Sequence, residues 1–305
     1  AGTGYSSNVG SRTVTHGDTT TFTITLDKAY NQNAPVAKID GKALSYTKNG
    51  DSYTFTTGAI TANKNVTIDN LEVNKYNVSV PEKATGLSIT KSGNNTVEYN
   101  KDFTFTVTRG EAYTQRTPVV KVNGTAITGT QSGNKFTYTI KNIKENKTVT
   151  IDNLEINKYN VSIPTDRTGL EIGNGGSHTV NYDGSWTFTV KVLDGYTQSV
   201  PNVKVNGEDF PGTKNGNNYT YTISNIRERK EVSIDNLKLN KYHYAFPTGE
   251  GFTVSDATGF NHNAITHGDN YKFTVTVDKA YTQNTPVVSI KSGKDVTLDS
   301  KADGA

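Results

Sequence analysis

The chain has 305 residues, of which 32% are hydrophobic, with 17 Tyr, 11 Phe, no Cys and no Met; 32 basic residues stand against 29 acidic ones. The length allows two or more domains, the aromatics argue against disorder, and the low apolar fraction suits small β-modules with much surface each. Interspersed charges leave no basic footprint for nucleic acid, and the lack of Cys excludes disulfide frameworks, thiolate metal sites and Cys nucleophiles.

No apolar run reaches the ~20 residues of a membrane helix, so no membrane insertion is expected of this stretch. With neither Met nor a signal peptide in view, the expectation is a fragment of a longer polypeptide.

Self-similarity organises the chain. Ile68, Ile151 and Ile234 recur at a spacing of 83 residues, within TIDNLEVNKYNV, TIDNLEINKYNV and SIDNLKLNKYHY. Tyr30, Tyr113, Tyr196 and Tyr281 form a second series. Four repeats are expected, at residues 1–73, 74–156, 157–239 and 240–305.

Repeat 1 opens at AGTGYSS, which aligns near Ala84 to Ser88, so its YNVSV strand has no counterpart. TFTITL from Thr21 and SYTF from Ser52 follow, the latter after Asn49-Gly50, a pair suited to turns with φ > 0. Repeat 2 is the clearest. YNVSV from Tyr76 alternates, as do FTFTVT from Phe103 and KFTYTI from Lys135, with VVKVNG between them. A period of two with Thr on one side is the pattern of half-buried strands.

Repeat 3 repeats the plan with WTFTVKV and NYTYTI. Repeat 4 carries YKFTVTV and then stops at KADGA, where the late hairpin strand is expected. About seven short strands per unit and no helical periodicity predict an all-β chain of tandem immunoglobulin-like β-sandwich modules in a linear, elongated array.

These residues resemble a known family. The frame runs Tyr-x-Val, the FTFTV strand, Tyr, Pro-x-Val-x-Val-Asn-Gly, Tyr-Thr-Tyr-Thr-Ile and Val-x-Ile. GYTQSVPNVKVNG from Gly195 and NYTYTISNI from Asn218 show it best. It looks like the tandem Ig-like repeats of large surface proteins and adhesins of Gram-positive, often gut-dwelling, bacteria. The resemblance implies stalk or adhesion modules at the cell surface, beside a head domain and a wall anchor. It fixes fold and location better than activity.

Chemistry is sparse. His16-Gly-Asp18 and His267-Gly-Asp269 sit in equivalent turns, but the middle repeats read Tyr99-Asn-Lys101 and Tyr182-Asp-Gly184 there. They are read as polar turn residues rather than metal ligands. Neither a nucleophile elbow nor a phosphate-binding loop occurs, so no catalytic role and no cofactor are expected. Trp186 shares parity with Phe188 and Val190, which places it in the core or at its rim rather than on a sugar. Recurring Lys75, Lys158 and Lys241, with Asn70, Asn153 and Asn236, lack the recurring acid that an isopeptide bond needs.

One loop has two readings. YNQNAP, YTQRTP, YTQSVP and YTQNTP share Tyr, Gln and Pro. The ligand candidates are therefore Tyr30, Gln32, Tyr113, Gln115, Tyr196, Gln198, Tyr281 and Gln283, with a host glycan or extracellular matrix as partner. The alternative, which is preferred, is a Tyr anchoring a strand-to-loop corner before a Pro that opens the next strand.

The TIDNL phrase spans the join between repeats. Leu71 and Val73 are expected to pack between neighbouring modules. A calcium clamp at Asp69, Asn70 and Glu72 is weakened by Lys238 in the third copy. The functional expectation is a non-catalytic stalk that carries flanking domains outward from a bacterial surface, with an adhesin module as the alternative.

Overall fold

Alternating Phe-Thr runs make the sheets. In a computed structural model, described here for residues 2–283 and 286–288, the strand Phe103–Arg109 buries Phe103, Phe105 and Val107 and leaves its threonines outward. It pairs with Lys135–Ile140 so that Phe105 faces Tyr138, and the two rings stack at 5.5 Å. Outside, the Thr104 and Thr139 hydroxyls share a 3.0 Å hydrogen bond. Full burial of a large apolar side chain is worth about 1.5–3 kcal/mol, and a cross-strand Thr pair about 0.2–1 kcal/mol. The inner face therefore sets the stability and the outer face trims the register.

The chain is all-β, with no α-helix among the described residues, and its sheets pair into repeated sandwich-like modules. It divides into two compact units between Asn157 and Lys158.

In the first unit, repeat 2 has a four-stranded sheet in the order Thr130–Ser132, Lys135–Ile140, Phe103–Arg109, Leu87–Ile89. Its five-stranded sheet runs Gly93–Glu98, Lys75–Val80, Lys147–Ile151, Val120–Val122, Thr125–Ile127. Lys75–Val80 and Lys147–Ile151 are parallel, with Lys147 opposite Val78. Val78, Val80, Phe136, Tyr138 and Ile143 fill the space between the sheets.

Repeat 1 has the same four-stranded sheet, from Tyr5–Ser7, Thr21–Leu26, Ser52–Thr56 and Tyr46–Asn49. Its second sheet has only three strands: Lys42–Ala43, Val36–Ile39 and Val66–Asp69. Phe22, Ile24, Leu26, Tyr53 and Phe55 form its smaller core.

In the second unit, repeat 3 reproduces both sheet orders of repeat 2, including the parallel pair of Lys158–Ile163 with Lys230–Ile234. Trp186 is half-buried against this core, and its ring stacks on His178 at 4.0 Å. Repeat 4 departs from the plan. Its opening strand pairs over two residues, Lys241–Tyr242 with Ile265–Thr266, where repeats 2 and 3 pair over six. Its second ribbon joins Phe252–Asp256 to Phe273–Val277. KADGA at the end of the chain lies outside the described residues.

The turns refine the sequence reading. Asn123-Gly124 and Asn206-Gly207 both take positive φ at each position, the geometry of two-residue hairpin loops that match strand twist. Asn49 and Asn215 instead end their strands, and Gly50 and Gly216 open the loop.

Candidate functional site

The recurring Tyr-x-Gln-x-x-Pro loop and the recurring TIDNL phrase meet at one residue that sequence reasoning passed over. Asn74, Asn157 and Asn240 recur at the 83-residue spacing, and they are 1%, 1% and 3% exposed. Besides Thr57, they are the only buried polar residues among those described. A buried amide has to find partners, because leaving it unpaired costs its full desolvation.

At the first join, Asn74 finds them on both sides. Its side-chain oxygen accepts the Gln32 N–H at 3.0 Å. Its side-chain nitrogen donates to the Lys28 carbonyl at 2.8 Å and to Asn31 Oδ1 at 2.7 Å. Its main-chain N–H donates to the Ala29 carbonyl, and its carbonyl accepts from the Tyr99 N–H of repeat 2 at 2.8 Å. Gln32 completes the join. Its amide nitrogen donates to the Lys75 carbonyl at 3.0 Å, and its amide oxygen accepts the Lys75 N–H at 2.8 Å. A glutamine side chain thus pairs like a strand with the first residue of the next repeat.

The join between repeats 3 and 4 is built alike. Asn240 accepts from the Gln198 N–H at 2.9 Å and donates to Thr197 Oγ1 and the Tyr242 hydroxyl. Gln198 pairs with both main-chain groups of Lys241, at 2.9 and 3.0 Å. At repeat 2, Asn157 accepts from the Gln115 N–H at 2.9 Å and donates to the Glu111 carbonyl and Thr114 Oγ1.

The tyrosines of the loop have a separate task. Tyr30, Tyr113, Tyr196 and Tyr281 lie flat on Gly4, Gly86, Gly169 and Gly251, each glycine at a φ between +79° and +91°. A Cβ on any of the four would fall 2.5 to 2.8 Å from the ring. Two constraints, left-handed backbone and ring contact, therefore require glycine. Tyr30, Tyr113 and Tyr196 are half-buried, and Tyr281 is exposed at 50%. Gln283 is also exposed. In each loop the ring is seated on a glycine, and the Gln32 and Gln198 amides are tied into joins.

The TIDNL residues behave differently from expectation. Leu71 and Leu237 pack onto the cores of their own repeats; Val73 is half-buried, and its counterpart Leu239 is 40% exposed. Four acids of the expected calcium clamps take other partners: Asp69 pairs with Lys38 at 2.8 Å, Asp152 with Lys121 and Glu155 with Arg116, while Asp235 accepts from Asn202. Asn153 and Asn236 each accept a main-chain N–H, from Thr85 and Thr168. Among the described residues no three His, Asp or Glu side chains come together as a metal site.

Open clefts occur among the described residues. One, of about 330 Å³, is lined by Arg116, Val119, Asp152, Leu154 and Glu155. The other, of about 350 Å³, lies in repeat 4 beside Phe260, Asn261, Asp269 and Tyr271. Near the latter, Asp256 accepts from Tyr271 and His262. These bonds hold the Asp256 carboxyl below its ordinary range, with the Tyr271 hydroxyl the largest cause. No family model matches this chain, and no curated protein matches it.

Proposed function

We propose that the chain is a non-catalytic spacer, a series of Ig-like modules in a bacterial cell-surface polypeptide that sets the position of flanking domains. The observation that carries this reading is the use made of the recurring polar residues. Asn74 and Asn240, with Gln32 and Gln198, bond one repeat to the next. What repeats in the sequence is therefore module-to-module geometry, which is what a spacer has to preserve. The resemblance to tandem Ig-like repeats of Gram-positive surface proteins supplies the location.

Pulling the whole chain by its ends tests the idea. A spacer that bears load gives successive unfolding peaks for its intact modules. Each releases about 83 residues of chain, roughly 300 Å at ~3.6 Å per residue. A single featureless extension at low force would sink it. The adhesin reading makes a different forecast: saturable binding to glycans or matrix on an array, abolished in a folded Tyr113→Ala/Tyr196→Ala variant. That result would replace the spacer reading.

A further inference from the structure

Five asparagines stand directly before a glycine: Asn49, Asn123, Asn174, Asn206 and Asn215. Such a pair carries its own chemistry, because glycine has no Cβ to hinder its amide nitrogen from reaching the asparagine side-chain carbonyl. The fold holds three of the five. Asn123 and Asn206 accept the Thr148 and Glu231 N–H groups at 2.9 and 2.8 Å, and Asn206 also donates to the Arg229 carbonyl. Asn174 donates to the Thr187 carbonyl at 3.2 Å, and its own carbonyl accepts from His178 Nε2 and Trp186 Nε1. All three have a left-handed backbone, with φ between +48° and +57°.

Asn49 and Asn215 are placed differently. Each ends a fully exposed edge strand, Tyr46–Asn49 or Thr213–Asn215. Each pairs across a two-residue loop, with Ser52 or Asn218. Among the described residues no hydrogen bond holds either side chain. We propose that Asn49 and Asn215 are modification sites, where the chain deamidates itself to aspartate and isoaspartate. The Gly50 or Gly216 nitrogen bonds to Cγ and gives up its proton, and the side-chain amide leaves as ammonia. Water then opens the five-membered imide. Opening at Cγ gives aspartate. Opening at the main-chain carbonyl gives isoaspartate, whose backbone runs through Cβ and Cγ and is one carbon longer. Water is the only co-reactant.

The reaction strikes where register is set. An added backbone carbon at Asn215 lies beside the loop that fixes the pairing of Thr213 with Thr220, so the edge strand loses its register while the buried Tyr219 and Tyr221 face stays inside. The repeats supply their own control. Asn49, Ser132 and Asn215 are 83 residues apart, and Ser132 pairs with Lys135 across the same two-residue loop. Repeats 1 and 3 therefore carry the reactive side chain and repeat 2 does not. The inference is independent of the spacer reading, because an adhesin with the same fold would carry the same hairpins.

The test ages the whole chain at mildly alkaline pH, native and in denaturant, and maps peptides by mass spectrometry. Each event adds about 1 Da, and enzymatic methylation of isoaspartate marks the longer backbone. In denaturant the five sites share one dipeptide, so the native rate divided by the denatured rate reports the fold alone. That ratio should be at least about fivefold lower at Asn206 than at Asn215, the equivalent of its two side-chain hydrogen bonds. Asn49→Ser/Asn215→Ser, which copies the hairpin residue of repeat 2, should keep the fold and remove most of the native mass gain. Equal or faster native reaction at Asn123, Asn174 or Asn206 overturns the proposal. So does a native chain unchanged at Asn49 and Asn215 while the denatured chain reacts, or a serine variant that gains mass like its parent.

Discussion

Replacing Asn74 by Ala removes one buried side chain and three hydrogen bonds, those to the Gln32 N–H, the Lys28 carbonyl and Asn31 Oδ1. A net hydrogen bond contributes about 0.5–1.5 kcal/mol, more when its loss strands a buried partner. Here Lys28 and Gln32 are exposed as residues, so water reaches their main-chain groups and limits the penalty. The expected loss is about 2–3 kcal/mol, felt at the join rather than in either core. Native-state hydrogen exchange of the whole chain reads it directly, because local opening is resolved segment by segment. Amides of residues 28–34 and 74–80 should exchange about 30- to 150-fold faster, while the core amides of Phe55 and Phe105 keep their protection. A change under about threefold, or equal deprotection of both sandwiches, would refute the reasoning.

Further expectations follow from the corners, the acids and the buried phenols. Gly169→Ala forces a Cβ to 2.5 Å from the Tyr196 ring at a φ of +81°. It should destabilise repeat 3 by about 2–4 kcal/mol in thermal unfolding, and Tyr196→Ala in the same chain should relieve the steric part. Burial pushes the Tyr138 and Tyr221 hydroxyls above their ordinary value of 10.0. A raised folded value means full stability below pH 10.0 and loss as pH rises beyond it. Tyrosinate absorbance should therefore rise with unfolding in this range. Asp256 shifts the other way, so its contribution is present above its ordinary value of 3.8 and lost as pH falls below it. Tyr271→Phe should flatten that acid-side loss in repeat 4, followed by exchange of the Phe252–Asp256 amides. With Asp69, Asp152 and Glu155 already paired to cations, calcium or a chelator should shift melting by less than about 1 °C.

Much of the sandwich was legible because its signal is simple. FTFTVT and KFTYTI alternate with the pleat, and the structure buries Phe103, Phe105, Phe136 and Tyr138 in that register. The join was less legible. Leu71 and Val73 drew attention as apolar residues, yet Leu71 turned to its own core. The residue that ties the repeats is Asn74, whose repetition was visible but whose type suggested surface. Polarity in sequence says nothing of burial when the main-chain and side-chain groups around it supply every partner. Repeat 4 was misleading for another reason: its opening run KYHYAF keeps the strand pattern but pairs over only two residues. Sequence periodicity marks strand preference, not the length of the ladder.

The choice of Asn at the join has a physical logic that a hydrophobic residue would not satisfy. An apolar side chain at position 74 would bury well in several orientations, since apolar contact has no direction. The Asn amide accepts on one edge and donates on the other, and its partners at Gln32, Lys28 and Asn31 lie in fixed places on one corner of repeat 1. Its own main chain is meanwhile held by Ala29 and Tyr99, one from each repeat. Only one mutual orientation satisfies all five bonds. Asn74→Leu separates the two contributions. It keeps volume and loses direction, so the repeats should remain folded while the join admits more than one geometry. That outcome would appear as doubled or broadened amide signals for residues 28–34 and 74–80, with unchanged core signals at Phe105 and Tyr138. Single sharp signals throughout would show that direction at this position is supplied by the Gln32–Lys75 pair instead, and the double variant Gln32→Ala/Asn74→Leu would then be the one to broaden.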